Sequence, residues 1–268
     1  MRKSKLKEEF LALNFCRGGK VVPDSPVAGM TLLKNGSMRF RWNEENPNRS
    51  SFLNELSSPD KKVAAVELIH SHTVYAIDEA SQVQGLQGDG IITTNKKIIP
   101  VITAADCMPI LIYDPVTKVF GALHSGWKGT GIACDAILLA KKKYDARVED
   151  FCVIMAPHIH DCCYFIEEDR ASFFAQNFTP DCVRPIRQGD NSGKYALSMS
   201  IANLEAIKKI GVPQENIVIS SDCTCCKKNP DGNYKFGSFR RQTSSLPQSL
   251  SLEERQKLFT VQAAWVKW

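Results

Sequence analysis

The amino-acid sequence predicts an α/β protein, layered and built on mixed β-sheets. Three observations lead there. Apolar runs of strand length recur along the chain. Segments with helical periodicity lie among them. The two kinds do not alternate as strict βαβ units, which argues against a purely parallel sheet. At 268 residues the chain is long enough to bury a full core.

The strand-length runs are residues 63–69, 90–94, 98–103, 108–113, 119–124, 151–156, 217–220 and 260–266. Asp114 and Pro115, both turn formers, separate the fourth from the fifth, so that pair reads as a hairpin. Helices are expected to begin near Thr130 (IACDAILLAKKKY), Glu167 (EDRASFFAQNF) and Ser198 (MSIANLEAIKKIG). The third has the clearest ends. Ser198 or Ser200 can cap it, and Gly211 with Pro213 stops it. The serine-rich polar stretch at 243–254 reads as a surface insertion.

Composition narrows the class. Hydrophobic residues make up 43% and charged residues 24%, as in ordinary globular enzymes, and the net charge is only +5. The groups Arg2-Lys3-Lys5-Lys7 and Lys141-Lys142-Lys143 read as solvated surface, and no aromatic-interleaved basic stripe suggests nucleic acid, which is not an expected partner. The N-terminal MRKSKLKEEFLALNF lacks the apolar core of a secretory signal, and no apolar run is long enough to span a membrane. Ten cysteines, including the adjacent pairs Cys162-Cys163 and Cys225-Cys226, are not spaced as a disulfide framework. Reduced thiols in the cytoplasm are expected.

The most informative stretch is TAADCMPILIYDPVTKVFGALHSGWKGT, residues 103–130. In an antiparallel hairpin the start of one strand lies beside the end of the other. Cys107 and His124, 17 positions apart, therefore fall at one sheet edge. A thiolate and an imidazole suit zinc, with copper or iron also possible, and need one further donor. His70 and His72 follow one strand at alternate positions, and His158 with His160 repeats that spacing after another. The tract Cys223-Thr224-Cys225-Cys226 competes for a metal, with Cys162 or Cys163 as a partner, although it lacks the paired knuckles of a zinc ribbon. The turn Ser125-Gly126-Trp127-Lys128-Gly129-Thr130 opens a helix and offers an anion site of amides, a lysine and hydroxyls, but it is not a Walker loop. The glycines of GLQGDG do not form a dinucleotide fingerprint either. Arg17 and the pair Arg240-Arg241 are further basic groups beside turns.

Taken together these segments resemble one family. ELIHSHTVY is similar to its QxHGxxV segment, GDGIITT to its AD-glycine strand, and TAADCMPILIYD to its TxDCxPxLLxD core. ALHSGWKGT is similar to xHxGWRGT, APHIHDCCY to GPxIGxCCY, and CTCC…FGSFRRQ to CTxxx…FxSxRR. The family is the laccase-like multicopper polyphenol oxidase group (YfiH, domain of unknown function 152), now regarded as purine nucleoside phosphorylases. The resemblance runs from Phe15 to Trp265.

The resemblance implies one YfiH-like domain over residues 1–268, a layered sandwich related to the catalytic domain of cytotoxic necrotizing factors. It implies zinc on His70, Cys107 and His124, His70 being preferred to His72 because it stands four residues before Val74. It implies phosphorolysis of adenosine, inosine and S-methyl-5'-thioadenosine, with adenosine deamination as a side activity. Arg17 and Lys128 join Cys107 and His124 as catalytic candidates. Gly126, Trp127, Lys128, Thr130, Arg240 and Arg241 are the candidates for binding substrate and phosphate. Lys128 replaces a usual arginine, His160 a usual glycine, and Thr260-Val261-Gln262 lacks the family's glycine-arginine pair, changes that bear on phosphate affinity and specificity. Two other readings follow the same residues. One is a metal-free cysteine hydrolase or amidase with Cys107 as nucleophile and His124 as base, suited to cell-wall precursor editing. The other is a metal-binding polyphenol oxidase, for which five histidines are too few to form clustered copper sites.

Overall fold

We describe a computed structural model over residues 10–247, 249–251, 254–255 and 257–268. The basic group at Arg2–Lys7 lies outside these residues, as do positions 248, 252 and 253 of the serine-rich stretch.

Two mixed sheets form the frame. The first orders its strands Leu11–Leu13, Val27–Met30, Gln262–Lys267, Ile98–Ala104 and Lys62–Ala65, with only the last pair parallel. The second orders Ile217–Ile219, Cys152–Met155, Met108–Tyr113, Phe120–Ser125, Gly90–Thr93 and Val74–Ala76, antiparallel in the centre and parallel at both margins.

The pleat explains the layers. Along Met108–Tyr113, Ile110 and Ile112 face one way, where they pack with Ile132, Ile137, Ala202 and Ile207 of two helices, Ile132–Tyr144 and Met199–Lys209. Leu111 and Tyr113 face the other way and meet Met30, Ile102 and Val266 of the first sheet. That sheet turns Ile99, Val101 and Trp265 outward against Phe52, Leu53 and Leu56 of the helix Pro47–Leu56. The result is helix, sheet, sheet, helices. A strand covered on both faces needs no polar alternation, which is why MPILIY reads as a continuous apolar run and is buried throughout.

The expected hairpin forms between Met108–Tyr113 and Phe120–Ser125. Asp114 closes it: its buried carboxylate accepts from the amides of Val116 and Thr117 and from the Thr117 hydroxyl. The three expected helices are Ile132–Tyr144, Glu168–Asn177 and Met199–Lys209, and the Ser198 hydroxyl caps the last by accepting from Ile201 N.

One expected strand is two things. Of residues 63–69 only 63–65 are strand, within Lys62–Ala65, after which the chain leaves the first sheet and enters the second at Val74–Ala76. Ile69 is exposed in the crossing, and His70 sits there with a positive φ of 59°. Val27–Met30 was not legible as a strand because its centre is glycine. Gly29 lies directly opposite Trp265, and a Cβ there would stand 2.5 Å from the indole. Arg17 belongs to a small hairpin, Cys16–Arg17 with Lys20–Val21, whose two central glycines have φ of 55° and 72° as a type I′ turn requires. A three-stranded sheet of Phe165–Ile166, Tyr195–Leu197 and Val183–Pro185 flanks the helix Glu168–Asn177.

Gly121 sits in the middle of the central sheet, where a Cβ would stand 2.4 Å from the carbonyl oxygen of Ile91 and 3.1 Å from Ile92 Cα. Both obstacles are backbone, so they cannot rotate away. Gly121→Ala is expected to destabilise the fold by roughly 1–3 kcal/mol, read as a lower denaturant midpoint with an unchanged slope.

Candidate active site

The hairpin delivers Cys107 and His124 to one edge of the central sheet. His124 pairs with Pro109, and Cys107 immediately precedes the strand that holds Pro109. His70 arrives from the crossing between sheets. The donor atoms of His70, Cys107 and His124 lie within 4.8 Å of one another. The two imidazoles meet edge to face with ring centres 4.9 Å apart. Two imidazoles and a thiol in such proximity match the donor set and spacing of a three-ligand metal centre with a position left for a reactant.

A buried carboxylate holds this cluster. Asp89 Oδ1 accepts from His124 Nδ1 at 2.8 Å and from His70 N at 3.0 Å. Its Oδ2 accepts from Ser71 N at 2.6 Å and from the Ser71 hydroxyl at 2.7 Å. Burial works against the ionised form of Asp89, but these bonds outweigh it and hold its carboxyl below the ordinary range. With Nδ1–H directed at Asp89, His124 keeps Nε2 for Cys107 or a metal, the arrangement by which outer carboxylates orient ligating histidines. The same carboxylate steadies the left-handed backbone of His70.

Charge follows from the contacts. Burial pushes the Cys107 thiol up, yet His124 and then His70 overcome it and bring it down to about 6. Burial also disfavours charge on His124, but the Cys107 sulfur and Asp89 raise it to about 9. Without a metal the pair is thus thiolate and imidazolium at neutral pH.

Gly126 explains itself here. A Cβ on it would stand 2.9 Å from His70 Cδ2 and 3.2 Å from Cys107 Sγ, so any side chain would press on the cluster. Gly126 is therefore a wall of the site.

His70, Cys107 and His124 open into a cavity of about 490 Å³, a size suited to a small ligand. Four arginines line it: Arg39, Arg41, Arg170 and Arg240. Arg39 pairs with Glu44 and Arg41 with Glu67. Arg170 instead lies over the Trp127 ring at 4.3 Å, and Arg240 lies 5.7 Å from the Tyr164 ring centre while donating to Phe165 O. The one lining carboxylate among the described residues, Asp106, is already satisfied by Thr224, Ser238 and Arg240 N. Phe40, Trp127, Tyr164, Phe239 and Phe259 add aromatic surface.

The remaining expected site residues are distributed differently. Arg17 does not reach the cavity; it pairs with Asp150 beside Cys152, at the opposite end of the central strands from Cys107. Lys128 is exposed, 5.4 Å from the Trp127 ring, and is not among the lining residues. Trp127 does line the cavity, whereas the Thr130 hydroxyl donates to Gly126 O and Trp127 O inside the turn. The amides of that turn are partly committed as well, Gly129 N to Gly126 O and Gly131 N to Asn203 Oδ1. Arg240 reaches the cavity, but Arg241 binds the carbonyls of Thr224, Cys225 and Phe236. His72 pairs with Asp135 and Lys128 O, outside the three-donor cluster.

Asp89, Asp106, Arg39, Arg41 and Arg170 were not legible as site residues in the sequence. The alternation Arg39-Phe40-Arg41-Trp42 was an available signal, a short basic and aromatic stripe whose first three residues line the cavity. Asp89, an acid between two glycines at a strand start, was another. Arg170 left none, since it looks like any helix-surface arginine.

His158, fully buried, braces the loop behind the cavity. Its Nδ1–H donates to Ala156 O at 2.8 Å, so Nε2 accepts from the Ser200 hydroxyl at 2.7 Å. Burial, reinforced by neighbouring His160, pushes its pKa down to about 3. The unfolded chain takes up this proton near pH 6.5 and the folded chain does not. Stability is therefore expected to be whole above pH 6.5 and to fall from there towards pH 3, by at most about 1.4 kcal/mol per unit from this group. Urea titrations of the wild type and His158→Gln across that range check it, the variant showing the shallower slope.

The family model described as multi-copper polyphenol oxidoreductase laccase matches residues 43–248. The chain is 26% identical over 223 residues to the purine nucleoside phosphorylase YlmD of Geobacillus stearothermophilus, covering 80% of this chain and 79% of that one. It is 30% identical over 193 residues to a purine nucleoside phosphorylase of Clostridium acetobutylicum, covering 71% and 76%. It is 28% identical over 157 residues to adenosine deaminase RL5 of an unknown prokaryote, covering 57% and 58%. The crystal structure of Geobacillus YlmD superposes with a TM-score of 0.73 at 23% identity, over 92% of this chain and 93% of that one. Fold and sequence agree: the chain belongs to the multi-copper polyphenol oxidoreductase laccase family, the YfiH or DUF152 group.

Proposed function

We propose that the chain is a zinc-dependent purine nucleoside phosphorylase, acting on adenosine, inosine and S-methyl-5'-thioadenosine, with adenosine deamination as a side activity. The observation that carries this reading is the union, in one cavity, of the His70–Cys107–His124 cluster, four arginines and an aromatic lining. The names borne by the YlmD, Clostridium and RL5 relatives point the same way. A cytoplasmic location suits the ten thiols.

Phosphorolysis forms a bond from a phosphate oxygen to the anomeric carbon and breaks the bond from that carbon to the base. The base leaves with the electron pair and acquires a proton. A cationic pocket must hold the phosphate, and an apolar one the purine. Arg170 and Arg240, which form no ion pair among the described residues, are assigned to the phosphate in place of Lys128 and Arg17. Trp127, Tyr164, Phe239 and Phe40 supply flat faces for the base. Zinc, when bound by His70, Cys107 and His124, supplies Lewis-acid polarisation. Asp89 keeps His124 in one tautomer, and the bare Gly126 leaves the cluster open.

A metal-free cysteine hydrolase is the second reading, favoured by the thiolate–imidazolium pair and by Asp89 behind His124. Nucleophile, base and orienting acid stand in order.

Release of hypoxanthine from inosine by purified protein should depend on added phosphate. Equal rates with and without phosphate contradict the phosphorylase reading. A charge-assisted phosphate contact is worth about 1.5–3 kcal/mol, so Arg170→Ala should lower phosphorolysis roughly ten- to hundredfold, mostly in the KM for phosphate. Lys128→Ala should change it little. Chelation should abolish the activity and zinc restore it, whereas a chelated enzyme that stays active and dies on thiol alkylation supports the hydrolase.

A further inference from the structure

Behind the cavity, loops 157–164 and 220–228 meet at four sulfurs. The Sγ atoms of Cys162, Cys163, Cys223 and Cys226 all lie within 4.8 Å of one another. Cys162 is 3.7 Å from Cys163 and 3.8 Å from Cys226. Bonded sulfurs would stand about 2.05 Å apart, so neither pair is a disulfide. Four thiolates arranged tetrahedrally at about 2.3 Å from a zinc ion stand about 3.8 Å from one another. The observed spacings fit that figure.

The backbone prepares the cluster. Cys163 N and Tyr164 N both donate to His160 O at 2.9 Å, a tight turn that sets two adjacent cysteines side by side. Cys223 is buried and accepts from His160 N at 3.4 Å, with the amides of Cys226 and Cys225 also turned towards it. Lys227 N closes the second turn on Cys223 O. Such N–H groups favour a thiolate over a thiol. Each thiol gives its proton to solvent on binding a cation.

We propose that Cys162, Cys163, Cys223 and Cys226 form a second, four-thiolate zinc site that staples the two loops. With four protein ligands it has no open position, so its role is structural. What it holds matters to the cavity. Ile159 and Tyr164 of the first loop line it. Thr224 of the second donates to Asp106, and Arg241 clasps Thr224 O and Cys225 O. The inference stands apart from the purine reading, because it concerns neither the reaction nor its ligands.

Metal analysis of protein purified without chelators tests it. The wild type should hold about two zinc ions per chain, Cys107→Ala and Cys226→Ala about one each, and the double variant none. Cobalt(II) added to Cys107→Ala protein stripped of zinc should give strong thiolate-to-metal charge transfer and tetrahedral visible bands. Equal metal content in Cys107→Ala with and without Cys226→Ala would overturn the proposal. So would a Cys162–Cys226 disulfide in protein handled under argon. Should the Cys226 variant fail to fold, the cobalt spectrum decides alone: absence of thiolate charge transfer in the folded Cys107→Ala protein removes the site.

Discussion

Asp89 is a fully buried carboxylate that receives four hydrogen bonds, from His124, from the amides of His70 and Ser71, and from the Ser71 hydroxyl. A buried acid is costly unless each lone pair finds a donor, and here the donors are the site itself. Two of the three candidate ligands therefore take their positions from one side chain. Asp89 also joins the layers in sequence terms, since it precedes the strand Gly90–Thr93 and its backbone carbonyl accepts from His124 N. Moving it would disturb the crossing that carries His70 and the strand end that carries His124 together.

The frame around this carboxylate is stiff where chemistry needs stiffness. Cys107 and His124 sit at the end of a hairpin covered on both faces, by helices on one side and the first sheet on the other. The four arginines come instead from three separate places: Arg39 and Arg41 before the first long helix, Arg170 within a helix, and Arg240 in the short helix Phe239–Thr243. A fixed donor cluster thus faces a cationic wall assembled from distant chain segments. In a partly enclosed cavity such charges act on an anion more strongly than they do in water.

How much of this was legible in the sequence depended on range. The hairpin of residues 108–125 could be read because Asp114 and Pro115 mark its turn locally, and with it the meeting of Cys107 and His124. The helix from Met199 carried its own cap and stop. The strands Val27–Met30 and Val74–Ala76 carried too little pattern, being short and, for Gly29, shaped by a tryptophan far away in the chain. The basic lining of the cavity was not legible for a related reason. Lys128 and Arg17 lie in conspicuous glycine turns, but those glycines serve backbone geometry: Gly126 clears the cluster, and Gly18 with Gly19 makes a type I′ turn. Arg170 acquires its place only when its helix packs beside Trp127.

The claim on which the rest turns is that Asp89 organises the donor cluster. Zinc affinity of Asp89→Asn, measured by chelator competition against the wild type, tests it most directly. Asparagine keeps the shape but loses the charge and half of the acceptor capacity. The expected result is a folded protein whose His70–Cys107–His124 site binds zinc roughly ten- to hundredfold more weakly, as loss of an outer carboxylate behind a ligating histidine does elsewhere. A folded Asp89→Asn variant with unchanged zinc affinity would contradict it.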